Sequence, residues 1–345
     1  MRRFLTFILF ICFTNQIISQ NLSNLSFGTD STFEVVSWNI EWFPKNGQTT
    51  ANYVQTILTN LQADVYVLQE IDDTTLLKSV AANIPGYEYY FKSDWFAGLA
   101  YVYNSNEVQI NDHYEIYATS QYWNAFPRSP QVLELTFMEK DYVIINNHFK
   151  CCGDGTLDTN DANDEENRRL TAVTLLKQYI DSSFANERVI VAGDLNDELT
   201  DNFINNVFQS FIDDTANYLF TDMLISQANS ADWSYPTWPS HLDHILITNE
   251  LFSDFSRSNS IVSCIRIDDY MSSWNTYDNN ISDHRPVALR LEVDAVISST
   301  HELEIPDAKL IKVVGLLGKE VSKDAKGLLF YVYSNGSVAK RVVLE

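Results

Sequence analysis

The sequence predicts an α+β fold, a mixed sandwich over residues 33–293 followed by a small β module. Three observations lead there. Apolar β-patterned runs outnumber the stretches with helical spacing, so few strands can be joined by helices as a doubly wound sheet requires. The 345 residues, 45% hydrophobic and 20% charged, suffice for one large core or two ordinary ones. After Val293 the texture changes to short β-runs punctuated by Gly315, Gly318, Gly327 and Gly336.

The elements follow in chain order. Residues 1–19 read as a signal peptide: Arg2 and Arg3 precede FLTFILFICF (4–13), too short to span a bilayer, and Ser19 is a small residue for cleavage. No later run is long enough for a transmembrane helix, so the chain is expected to be secreted or held at the cell surface. FEVVSWNI (33–40) is strand-like. TTANYVQTILTNLQ (49–62) has helical spacing, with Tyr53, Ile57 and Leu61 on one face. DVYVLQE (64–70), LAYVYN (99–104), VLELTF (132–137) and DYVIINNHF (141–149) are strands separated by turn residues. CCGDGTLDTNDANDEEN (151–167) is a solvated acidic loop without the spacing of a calcium loop. A helix is predicted over 163–180, with Leu170, Val173, Leu176 and Ile180 as its stripe. VIVAG (189–193), DHILIT (243–248) and VALRLEV (287–293) complete the strands; 294–304 reads as a linker and 305–345 as the β module.

The formal charge of -23 repels polyphosphates and excludes a passive nucleic-acid coat, but not an enzyme that meets phosphate through divalent cations. Of four Cys, Cys12 lies in the leader, and no C-x-x-C pair suggests structural zinc. Export favours a disulfide, and neighbouring Cys rarely bond without strain, so Cys264 with Cys151 or Cys152 is the preferred pair.

The stretch VIVAGDLNDE (189–198) runs apolar into Gly193 and then gathers Asp194, Asn196, Asp197 and Glu198. Such an ending is either a solvated turn or a site, because catalytic groups often sit just past the carboxyl ends of buried strands. Asn39 and Glu41 in VVSWNIEW, Glu70 in VYVLQEI, and His148 with Lys150 in IINNHFK lie at similar places. So do Asp243 in SHLDHILIT and Asp283 with His284 in ISDHRPV. Each alone fits a turn former, a solvated acid or a structural His.

The order SWNIEW, LQE, FPRSP, NNHFK, GDLND, HLDHI, SDHRPV resembles the endonuclease/exonuclease/phosphatase superfamily, the fold of deoxyribonuclease I, over about residues 35–293. GDLND followed by SDHRPV is the specific part. The resemblance implies a two-sheet α/β sandwich and hydrolysis of a phosphodiester, which needs charge neutralisation, an aligned water and a proton for the leaving oxygen. It implies metal binding at Asn39, Glu70 and Asp283, with Asn39 on the metal or the phosphate; hard oxygen ligands suit Mg²⁺ or Mn²⁺, with Ca²⁺ as an auxiliary. It implies a catalytic set of His148, Asp194, Asn196, Asp243 and His284, and a phosphate contact at Arg128. In that set Asp194 orients or deprotonates the water and Asn196 donates to a phosphate oxygen. Asp243 holds His284, and His148 contacts phosphate or protonates the leaving group. The resemblance leaves open which group is base and which acid. One departure stands out: deoxyribonuclease I has a Glu partner for its second His near the strand matching LAYVYN. Here Ala97 and Gly98 occupy that region, which predicts a less cationic His148.

The tail, LLGKEV then GLLFYVYSNGSVAKRVV, resembles the C-terminal sorting domain of type IX secretion, which implies that machinery as a partner. The functional expectation is a secreted, metal-dependent endonuclease whose substrate is a nucleic acid, DNA first. The alternatives are a sphingomyelinase or inositol-phosphate phosphatase of the same superfamily, or a non-catalytic binding module on the fold. Trp233, Tyr235 and Trp238, with Tyr122 and Trp123 before Arg128, either rim the site, where their rings could stack on bases, or pack under loops. No amphipathic stretch with a basic face suggests a lipid surface.

Overall fold

The structure, a computed structural model, describes residues 21–91, 98–294, 309–315, 318–323, 325–334 and 338–343. The predicted leader, Ala97 and linker residues 295–304 lie outside them. The chain divides into two compact units, Met1–Ala295 and Val296–Glu345.

The strands of the first unit are β1 (Thr32–Phe43), β2 (Val65–Ile71), β3 (Tyr87–Tyr90), β4 (Gly98–Asn104), β5 (Val108–Glu115) and β6 (Gln131–Phe137). They continue as β7 (Lys140–His148), β8 (Arg188–Asp194), β9 (Tyr218–Phe220), β10 (Asp243–Thr248), β11 (Ile261–Cys264) and β12 (Val287–Glu292). They form two six-stranded sheets, ordered β11-β12-β1-β2-β4-β3 and β5-β6-β7-β8-β10-β9. Only β1–β2 and β7–β8 pair in parallel among the described strands. Each parallel pair is bridged by a helix, α1 (Gln48–Leu61) and, past α2 (Thr74–Ala82), α3 (Glu165–Ser183).

Burial follows the period of two. In β1, Phe33 and Val35 pack with Leu133, Ile144, Ile190 and Ile245 between the sheets. Val36, Trp38 and Ile40 turn the other way, onto Val54, Ile57 and Leu58 of α1. Val173, Leu176 and Ile180 of α3 cover the outer face of the second sheet with Val143, Ile145 and Val191. Helix–sheet–sheet–helix layering is the expected sandwich. Its details differ from the predicted pattern. The buried stripe of α1 is centred on Val54, Ile57, Leu58 and Leu61, and Tyr53 is only partly covered. Helix α3 begins later, where the Asp164 side chain caps the Asn167 N–H.

The far end of β1 holds a buried acid pair. Glu34 Oε1 accepts from Thr29 N–H (3.3 Å), and Glu34 N–H donates to Asp64 Oδ2 (2.9 Å). Burial above all pushes Glu34 up to about 9 and Asp64 up to about 6. An acid that holds its proton more tightly when folded favours the folded state at low pH, and this support is lost as pH rises from 4.5 towards 9. Glu34→Gln keeps a neutral polar group there. Its melting temperature should therefore exceed wild type by several degrees at pH 8 and converge with it near pH 4.5, about 1 kcal/mol being worth about 2–4 °C in a domain of this size. Identical melting at pH 8 would refute the charge argument.

The second unit is a three-stranded antiparallel sheet of β13 (Leu310–Gly315), β14 (Gly327–Tyr333) and β15 (Val338–Val343). Val313, Leu329 and Tyr331 make its small core.

Candidate active site

The inner face of the sandwich turns polar at one end. In β8, Ile190 and Ala192 face the other sheet, so two residues on Asp194 does too. The same alternation carries Tyr142 and Ile144 of β7 to Asn146 and His148, and Ile245 of β10 back to Asp243. Register then aligns them: His148 lies beside Asp194 across β7–β8, and Asp243 beside Asp194 across β8–β10. Gly193 makes that approach possible. A Cβ there would stand 1.9 Å from the Asn147 carbonyl oxygen, and its φ of 152° favours glycine.

Glu70 arrives by a different route. Alternation alone would aim it outwards, but its φ of 59° and a register shift between Leu68 and Ile71 form a bulge. The bulge keeps Leu68 and Ile71 in the outer core and lets Glu70 reach Asn39, whose Nδ2 donates to Glu70 Oε1 (3.1 Å) and Asp194 Oδ2 (2.9 Å). Asn39 Oδ1 accepts instead from Glu41 N–H (3.0 Å). Asn39 was expected to hold metal or phosphate. Here its side-chain oxygen accepts from the backbone and its nitrogen lies between the carboxylates of Glu70 and Asp194.

The loop before β12 supplies Asp283 and His284. Ser282 Oγ donates to the Asn39 carbonyl (2.7 Å) and accepts from His284 N–H (2.9 Å), which ties this loop to the end of β1. His284 Nδ1 meets Asp243 Oδ2 at 2.8 Å, and its Nε2 stands 3.9 Å from both Asp194 Oδ2 and Asp283 Oδ1. Burial alone would depress this imidazole, but Asp243 and then Asp194 outweigh it and push it up to about 10. His284 is a cation.

His148 has the opposite fate. Its Nε2 lies 3.5 Å from Asp194 Oδ2 and 3.8 Å from Glu70 Oε1, while its buried Nδ1 has no hydrogen-bond partner among the described residues. Burial first, then the charges of Arg128 and His284, hold it well below the ordinary imidazole range. It is neutral. Arg128 is half-buried and close enough to act on it. Burial also pushes Asp194 up to about 7, against the pull of His284. Asn196, with φ 56°, spends one amide N–H on the Phe149 carbonyl (3.3 Å).

Five further residues support this set and were not singled out from sequence as its support. Asn146 crosses between the sheets below it, accepting from Gln69 and donating to the Leu68 and Ala100 carbonyls. Arg169 donates to Asp197 Oδ2 (2.8 Å) in the GDLND loop. Buried Asp222 accepts from His241 Nε2 (3.1 Å) and His244 Nδ1 (2.6 Å). His244 Nε2 in turn donates to the Asp197 carbonyl (2.9 Å), and His241 Nδ1 accepts from Ser234 N–H (3.2 Å). Asp222–His241–His244 and Asp194–Asp243–His284 both gather ligand atoms within 4.8 Å of one another. The first has every ring nitrogen already used, which suits a structural network rather than a cation.

The aromatic residues divide between the two alternatives. Trp123 and Trp238 are exposed, but Tyr122 packs on Tyr117, and Trp233 Nε1 donates to the Ile225 carbonyl. Tyr235 lies on the His284 ring, centroids 4.8 Å apart. Half-exposed Trp42, whose backbone N–H donates to Glu70 Oε2 (3.0 Å), also lies beside the site.

A family profile described as Endonuclease/Exonuclease/phosphatase family matches residues 36–284. Among solved structures, D. rerio TDP2 complexed with single strand DNA product is 14% identical with a TM-score of 0.57, covering 76% of this chain and 100% of that one. The human Nocturnin catalytic domain with bound sulfate is 18% identical with a TM-score of 0.53, covering 76% and 94%. The endonuclease/exonuclease/phosphatase from Bacteroides vulgatus is 13% identical with a TM-score of 0.54, covering 76% and 99%. At these identities the likeness is one of fold. No curated protein matches significantly in sequence.

Proposed function

The chain belongs to the endonuclease/exonuclease/phosphatase family, and from that membership and the site's geometry we propose a secreted, divalent-metal-dependent phosphodiesterase that acts as an endonuclease on DNA. The observation that carries the reading is the pairing of a cationic His284 with a poised Asp194, 3.9 Å apart, beside Glu70 and Asp283.

Each charge state has a use. Asp194, near neutrality in its titration, accepts a proton from the attacking water. His284, held by Asp243, faces the charge that develops on the phosphoryl oxygens and is the proton source for the leaving oxygen. Neutral His148, Arg128 and the second N–H of Asn196 contact the phosphate. Glu70 and Asp283 offer hard oxygens where carboxylates repel one another, Glu70 acting on both Asp283 and Asp194. That donor set fits Mg²⁺ or Mn²⁺, with Ca²⁺ as an auxiliary; a bound ion would neutralise the substrate's charge and polarise its phosphate.

Exposed Trp42, Trp123 and Trp238 support a nucleic acid, since rings stack on any base; so does the DNA product held by a protein of the same fold. Purified protein with Mg²⁺ should nick plasmid DNA and fall silent after exhaustive chelation, with recovery on adding Mg²⁺ or Mn²⁺. Full activity without metal would sink the metal claim. Headgroup release from sphingomyelin or phosphate release from inositol phosphates, with the plasmid intact, would replace the nuclease reading.

Residues 1–19 are taken as the leader, 33–293 as the catalytic domain, 294–304 as linker and 305–345 as a type IX sorting domain. The separate unit Val296–Glu345 and its three-stranded sheet support the last of these. Deleting 305–345 should leave hydrolysis intact and strand the protein in the source cell's periplasm. Normal export of the truncated chain would point to an accessory module instead.

A further inference from the structure

The loop that leaves β7 carries Cys151 and Cys152, three and four residues beyond His148. Their Sγ atoms stand 3.0 Å apart, about 1 Å beyond the covalent S–S length of about 2.0 Å. Several contacts hold them there. Buried Arg169 donates through one nitrogen, Nη1, to the carbonyls of Lys150 (2.8 Å) and Cys152 (2.7 Å), folding the backbone around Cys151. Cys152 takes a φ of 71°, a strained value for a residue with a Cβ. Lys150 Nζ binds the Cys151 carbonyl (2.8 Å) and approaches its Sγ (3.7 Å), while the Cys152 thiol donates to that same sulfur. A cation and an S–H donor thus meet at one sulfur, and the second sulfur stands close enough to close a ring on it.

Cys264, the partner preferred from sequence, does not join them. It sits in β11, where burial pushes its thiol far up, and the charges acting on it are those of Arg285, Asp243, Asp268 and Asp232. Cys152 is exposed and Cys151 partly so, which leaves both open to small oxidants.

We propose that Cys151 and Cys152 form a reversible vicinal disulfide, a redox-labile modification site on the loop that follows His148. The oxidant is a small-molecule disulfide. Cys151 sulfur attacks it and expels one thiol, giving a mixed disulfide; Cys152 sulfur then displaces the second thiol and closes the ring. Two S–H bonds are lost, one S–S bond forms, and two electrons and two protons leave on the two released thiols. Adjacent Cα atoms across a trans peptide are about 3.8 Å apart, shorter than the usual disulfide span of about 4.4–6.8 Å. The ring is therefore strained, and strained, exposed disulfides are the easily reduced ones. Through Arg169–Asp197 and Asn196–Phe149 the same loop is laced to the GDLND segment, so the ring stiffens backbone next to Asn196 and His148. The proposal holds whichever phosphate ester the site cleaves.

The test equilibrates the full chain in mixtures of oxidised and reduced glutathione, traps free thiols with an alkylating agent, and maps tryptic peptides by mass. Lys150 and Arg168 bracket both residues, so they leave in the single peptide 151–168. At oxidising ratios that peptide should be unalkylated and lighter by two hydrogens, and at reducing ratios doubly alkylated. Cys264, whose thiol is held protonated, should react more slowly than the reduced pair, and C264S should change nothing. C151S and C152S should each retain a single residue that is alkylated or carries glutathione. A peptide cross-linked to Cys264 or to a second chain, persistent glutathione on the wild-type pair, or doubly alkylated peptide at every ratio would overturn the proposal.

Discussion

Asp194→Asn is expected to lower phosphodiester hydrolysis by about 10²–10⁴-fold, the range of general acid–base contributions, without lowering the melting temperature. The two halves of this expectation come from one fact. Asp194 is 2% exposed and sits near Asp243 and Glu70, so its charge is costly and burial pushes it up to about 7. A carboxyl whose constant is raised on folding weakens the folded state above about pH 4, increasingly up to pH 7. Asn removes that cost and keeps the shape, so stability at pH 8 should rise or hold. What Asn cannot do is accept a proton. Turnover on plasmid DNA and thermal unfolding of the same preparation decide the matter. A rate within tenfold of wild type would remove Asp194 from the role of base, whatever the melting shows.

Much of this was legible in the sequence because buried strands announce themselves twice. VIVAGD, DHILIT and VIINNH are largely apolar, and each begins or ends in the polar residue that the period of two then aims into the cleft. The helix-spaced runs of α1 and α3 were equally plain. The elements that escaped have weak patterns for physical reasons. β5 reads VQINDHYE and is largely solvated at a sheet edge, while β3, β9 and β11 are too short to show a period. Helix α2 has only nine residues and three buried ones. Glu70 was found by its motif, yet its aim depends on a bulge that no alternation rule contains. The supporting network escaped altogether. Asp222 lies in YLFTDML, outside every motif quoted, and only the fold brings it to His241 and His244.

That network predicts the largest loss of stability. Asp222→Ala is expected to cost about 3–5 kcal/mol, because it leaves the His244 charge buried without its partner. The hydrogen bonds fix the charge: Nδ1 of His244 faces Asp222 Oδ2 and Nε2 faces the Asp197 carbonyl, two acceptors that require both ring protons. Burial alone would raise Asp222, but His244 pulls it far below the ordinary carboxylate range; Asp222 in turn raises His244 against burial. A lowered acid lends stability above its unfolded value, and a raised imidazole below its own. The pair's support is therefore complete between about pH 4 and 6.5 and declines outside that window. Phe208 and Phe220 flank the His244 ring at centroid distances of 5.7 and 5.9 Å, so an apolar ring has neighbours there. His244→Phe in the Asp222→Ala background should accordingly recover part of the loss, since it removes the stranded charge. Denaturant unfolding of the wild type, both single variants and the double variant at pH 6 gives the coupling directly. Additive losses would mean that His244 is neutral and the pair no more than two hydrogen-bonded groups. If the double variant regains stability but not turnover, the His244 bond to the Asp197 carbonyl positions the loop that carries Asn196.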